Sequence, residues 1–166
     1  MTGFLTSSAI IKQVTKPNKF QLCTNELFYD GETNKIYLAW RGFISDNYTW
    51  LRSTRWDIRC AHIHDIACHY HQLVYVPGYY LETIIDNYII ETAKGDKFCK
   101  DIPAHMLRVE DCSKREANKL FGRMMKDADC PSIPWLVRVF YRTGVAFNLH
   151  WFFTGKEKID KNNLYH

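Results

Sequence analysis

The first third of the chain carries the residue pattern of β structure. Residues 20–29 and 35–40 are apolar, aromatic-rich runs, and between them lies Asp30-Gly31-Glu32-Thr33-Asn34. Two such runs around a turn of this composition predict a hairpin. An earlier strand over 9–14 is predicted to end at Lys16-Pro17-Asn18. Residues 42–50 then lead out of the sheet into an irregular, polar segment. Over 57–76 the spacing changes, because Ile58, Ala61, His62, Asp65, Cys68, His69 and Gln72 recur at helical intervals. That spacing predicts a helix stopped by Pro77-Gly78. Residues 79–90 are apolar and β-branched, interrupted by Asp86-Asn87, and fit a strand pair or a short helix. Residues 93–111 are polar, contain Gly95 and Pro103, and are predicted to form a loop.

The last third is patterned for helices. Ser113-Lys114-Arg115-Glu116 is a capping box, in which a hydroxyl and a carboxylate satisfy amides left open at a helix start. Ala117, Leu120, Phe121, Met124 and Met125 follow at i, i+3, i+4, i+7 and i+8, which gives one buried face. A turn at 130–134 precedes a second predicted helix over 134–147, capped by Ser132. Its candidate stripes are Trp135, Val139 and Arg142, or Leu136, Phe140 and Thr143. The expected fold is α+β: a small N-terminal antiparallel β-sheet or hairpin, a helix bearing His-Asp, and a C-terminal αα-hairpin. We expect one domain over 1–166, with an inserted excursion at 77–111 and extended termini.

Composition adds a core and removes several function classes. Hydrophobic residues make up 46% and aromatic residues 15% of the chain, enough for a packed interior. Aromatics also enrich partner surfaces. The net charge of +4 is too small to point to nucleic acid, and no aromatic-lined basic groove motif is present. Six scattered cysteines without a C-x-x-C pair fit reduced thiols better than a disulfide framework. The first residues carry no charged region followed by an apolar run, so a secretory signal is not expected. No membrane segment is expected either, since no stretch approaches the roughly 18 apolar residues that span a bilayer.

Candidate chemistry gathers in one place. Residues 61–71 hold four of the seven histidines, with Asp65 and Cys68 among them. Imidazoles titrate near neutral pH and bind metals. On a helix His64, Cys68 and His71 fall at i, i+4 and i+7, where they could supply three ligands to a divalent metal such as zinc. A second face would carry His62, Asp65 and His69. The His64-Asp65 pair, with Asp46 as a third group, could instead hold a divalent ion or polarise a water, as in metal-assisted hydrolysis. The simpler expectation is a satisfied polar network with no cofactor, in which this pair organises the joint between sheet and helices. Cys68 beside a histidine is also the composition of a nucleophile pair, but no oxyanion hole or helix N-terminus accompanies it. No Gly-rich phosphate loop is present.

Three segments, in order, resemble an uncharacterised domain family of bacteriophages and prophages, the domain of unknown function 1353. They are Gly42-Phe-Ile-Ser-Asp-Asn-Tyr-Thr-Trp50, His64-Asp65 with Tyr70, and Ser113 to Met125 with the following helix. The likeness runs over about 20–76 and 112–151. Asn118 stands where that family has Asp, which removes a carboxylate from a site of Asp46, His64, Asp65 and position 118. The resemblance implies a phage protein with a small α+β fold and supplies no activity. The expectation is a non-catalytic virion component or virion-associated accessory or assembly protein, bound to other phage structural proteins, with multi-copy assembly one form. It would reside in the host cytoplasm during assembly, or in the virion. The alternative is a metal-assisted hydrolase acting through Asp46, His64 and Asp65.

Overall fold

The computed structural model describes residues 1–7, 10–14, 19–45, 59–126, 151 and 154–165. In chain order the elements are β1 (Gly3–Phe4), β2 (Ile11–Gln13), β3 (Phe20–Leu22), β4 (Glu26–Asp30), β5 (Lys35–Ala39) and β6 (Ile44–Ser45). Helix α1 (Arg59–Tyr70), β7 (Gln72–Pro77), α2 (Leu81–Tyr88), β8 (Ile89–Glu91), β9 (Lys97–Cys99), β10 (Arg108–Asp111) and α3 (Lys114–Met124) follow. The mixture is α+β, with antiparallel strands concentrated in the N-terminal half and a helix toward the C-terminus.

The predicted hairpin is β4–β5, in register from Asp30 opposite Lys35 to Glu26 opposite Ala39. Asn34 takes a left-handed φ of 53° in its turn, a conformation Asn tolerates better than most side chains. The hairpin sits inside an antiparallel five-stranded sheet of order β1-β4-β5-β7-β10. A second sheet of order β2-β3-β6 and a β8–β9 ribbon complete the strands. The predicted 20–29 run is therefore two strands in different sheets, parted at 23–25.

Register assigns the faces of the large sheet. Leu27, Leu38, Ile36, Val76 and Val74 lie on one face, and Glu26, Phe28, Asp30, Tyr37 and Tyr75 on the other. Glu26 meets α1 and Asp30 meets α3, so the second face is the one toward these helices. The first is sealed as well, with Leu27, Ile36, Val74 and Val76 all fully buried. The chain between β7 and β10 brings Ile84, Ile102, Met106 and Leu107 into the same core.

Two boundaries differ from the sequence expectation. The helix ends at Tyr70 rather than Val76, and 72–77 is a central strand. Leu73, Val74 and Val76 satisfy either period, but the β-branched and aromatic run prefers a pleated surface. His71, at φ 52°, makes the reversal from helix to strand. Residues 93–111 likewise are not all loop, because they supply β9 and β10, the latter an edge of the main sheet. The open reading of 79–90 resolves as a short helix running directly into a strand. The predicted second helix at 134–147 lies outside the described residues.

The capping box of α3 forms as expected. The Glu116 amide donates to Ser113 Oγ at 3.3 Å, and the Ser113 amide donates to Glu116 Oε2 at 2.8 Å. Ala117, Leu120, Phe121, Met124 and Met125 are all buried. Replacing Ser113→Ala removes the hydroxyl that accepts from the Glu116 amide, leaves that amide to water and should cost about 1 kcal/mol. Urea denaturation of the two proteins measures this, with an unchanged m-value expected.

Candidate functional site

Helix α1 is buried almost all round, and its polar residues therefore need partners inside the protein. Arg59, His62 and His64 are each no more than 5% exposed. Arg59 lies over the Phe4 ring, 4.4 Å from its centroid, and donates to the Thr6 carbonyl. One turn on, His62 Nδ1 lies 2.7 Å from Glu26 Oε2, both groups sealed from solvent. The first turn of α1 thus ties the N-terminal segment and β4 to the helix. A parallel bond ties α3 to the far end of β4, where Arg123 Nη2 donates to Asp30 Oδ2 at 2.8 Å. Asp30 also accepts from the Glu32 amide and the Thr33 hydroxyl.

The His64-Asp65 pair diverges. Consecutive residues on an α-helix point about 100° apart, and here each reaches a different layer. His64 faces α3: its Nε2 is 3.3 Å from Asn118 Oδ1, and its ring lies 4.9 Å from that of Phe121. Asp65 accepts from the Ser45 hydroxyl on β6. One residue holds helix to helix, and the next holds helix to the second sheet.

Burial sets the charge of His64. Desolvation lowers its pKa from 6.5 to about 4, outweighing the Asn118 bond that favours the charged form. The ring is therefore neutral at pH 7. Its Nε2–H donates to Asn118, which leaves Nδ1 facing Cys68 Sγ at 3.6 Å. An imidazole 2% exposed and this weakly basic presents no edge to solvent.

His71 points elsewhere. Its Nε2 donates to the Trp151 carbonyl at 2.9 Å and lies 3.1 Å from Thr154 Oγ1, while its ring stacks on the Trp151 indole at 4.1 Å. The structure therefore joins His64 to Cys68 and does not bring His71 to them. Among the described residues no three His, Cys, Asp or Glu side chains gather to hold a metal. On the other face, His62 goes to Glu26, Asp65 to Ser45, and the exposed His69 to Glu157 at 3.8 Å. Asp46 lies outside the described residues.

Sequence reasoning passed over Glu26, Asp30, Arg59 and Arg123, which share the internal polar bonds with the histidines. The signal was present in Glu26-Leu-Phe-Tyr-Asp30. Strand alternation places both carboxylates on the face of Phe28, and a sheet covered on both sides buries whichever face that is.

Two outcomes test these assignments. Glu26→Ala removes the carboxylate that His62 Nδ1 meets in the interior and should cost about 1–3 kcal/mol, read by chemical denaturation. The His64 shift has a definite sign. The folded form binds a proton less readily than the unfolded chain, so its contribution is full above pH 6.5 and is lost as pH falls toward 4. Stability measured from pH 7 to pH 4 should fall by about 3 kcal/mol more in the native chain than in His64→Gln.

No helix among the described residues is long and apolar enough to cross a membrane. No family model matches this chain, and no match to a curated protein or a solved structure is found.

Proposed function

We propose that this chain is a bacteriophage protein that binds other phage proteins, as a non-catalytic virion component or a virion-associated accessory or assembly protein. The phage origin, the protein partners and residence in the host cytoplasm or the virion rest on the segment resemblance described above. The non-catalytic reading is carried by one observation, the divergence of His64 and Asp65. Catalysis by such a pair requires both groups to converge on one reacting atom. Here the imidazole is neutral and spent on Asn118, and the carboxylate is spent on Ser45.

The alternative, a divalent-metal hydrolase using Asp46, His64 and Asp65, makes opposite demands. It needs a metal at stoichiometric occupancy and a loss of turnover in Asp65→Asn. The test is elemental analysis of the purified chain after incubation with zinc or magnesium, with hydrolysis assays on nucleotides and peptidoglycan. In parallel, phage particles are banded by density and probed for the chain. The expected result is the chain in the particle or its assembly intermediates, no stoichiometric metal and no hydrolysis. Bound zinc, with hydrolysis abolished by Asp65→Asn, would falsify the proposal.

A further inference from the structure

Between residues 60 and 93 the chain has no lysine or arginine, although it carries 22 of them overall. Within that stretch α2 turns Leu81, Ile84 and Tyr88 toward the protein, with Ile84 fully buried. Its opposite side exposes Glu82, Ile85 and Asp86 at i, i+3 and i+4. Large apolar side chains are exposed along the same segment: Tyr79 at 72%, Ile85 at 40% and Ile90 at 47%. Among the described residues no ion pair engages Glu82 or Asp86. Of the nearby hairpin lysines, Lys97 stands opposite Glu91, and Lys100 donates to the Asn87 carbonyl at the C-terminal end of α2 rather than to either carboxylate.

We infer that the outward side of α2, with Tyr79 and Ile90 at its two ends, is a docking surface for a basic, amphipathic segment of a partner protein. The inference deepens the binding function proposed above and rests on it. Charge complementarity selects the occupant. Two unopposed carboxylates repel the phosphates of nucleic acid and of anionic lipid, and attract lysine or arginine. Exposed isoleucine and tyrosine call for apolar side chains in the same partner.

The probe is a synthetic amphipathic helical peptide of leucine and lysine, titrated into the full chain by fluorescence anisotropy. Its leucine–glutamate counterpart, phosphatidylglycerol vesicles and a DNA duplex form the other arms. Only the leucine–lysine peptide should bind, with amide hydrogen exchange slowed over 79–91. Binding should weaken about tenfold or more in the charge-reversed Glu82→Lys/Asp86→Lys chain and in Ile85→Ser. These positions are exposed, and near-UV circular dichroism verifies that the variants keep their packing. Peptide affinity unchanged in both variants overturns the assignment, as does vesicle or duplex binding at 79–91, or dimerisation of the chain through that segment. Failure here with the chain still found in phage particles removes this surface and leaves the binding function. Peptide binding by a chain absent from particles removes the phage role instead.

Discussion

The structure depends on keeping two carboxylates of one strand satisfied in the interior. Glu26 and Asp30 lie four residues apart on the helix-facing side of β4, and neither has any exposed surface. A carboxylate without partners at such a place costs several kcal/mol or gives up its charge. The fold meets the demand from two directions, with His62 of α1 at one end of the strand and Arg123 of α3 at the other. Each helix must present its base at one height and one rotation for the bond to form. The two pairs therefore tie α1 and α3 to opposite ends of one strand, beside the packing of Phe28, Ile63 and Phe121 in the core.

A second set of bonds distributes the remaining joints. Helix α1 is the hub: Arg59 takes the N-terminal segment, His64 takes α3 and Asp65 takes the second sheet. A helix buried almost all round needs a polar residue wherever a neighbour offers a carbonyl, an amide or a hydroxyl. The histidine-rich stretch supplies these. Imidazole is large enough to fill core volume and, when neutral, offers one donor and one acceptor. Its density in 61–71 reflects connectivity among layers, and the same demand accounts for the lowered pKa of His64.

The sequence was informative where local chemistry decides and silent where distant chain segments decide. The β4–β5 hairpin and the capping box of α3 are set by a few neighbouring residues, and both were legible. The end of α1 was not, because Leu73, Val74 and Val76 fit helical and extended spacing equally. Only pairing with β5 and β10 settles that choice. The same limit hid β10, a polar run with no strand signature until β7 lies beside it. At the candidate site, spacing correctly put His64 and Cys68 on one side of the helix. It grouped His71 with them because it could not foresee a left-handed residue at the helix end. The partners of Glu26 and Asp30 lie 36 and 93 positions away, beyond the reach of any window along the chain.

The segment that closes on His71 has a consequence for the order of events during synthesis. Trp151, Thr154 and Gly155 lie against the α1–β7 reversal, and a side chain at Gly155 would meet the His71 ring at 2.2 Å. Beyond them the Ile159 amide donates to Gln72, and Tyr165 bonds the Ile102 amide. These contacts span 63 to 87 positions. The hairpin and α1 leave the ribosome long before the strap that secures their junction. A nascent chain would hold its sheet and helices together with the reversal at His71 uncovered, and close only once residue 165 had emerged. Residues 151–165 would thus join after the segments they secure, and a pause before residue 151 would leave the reversal open to any chaperone that reads exposed aromatics.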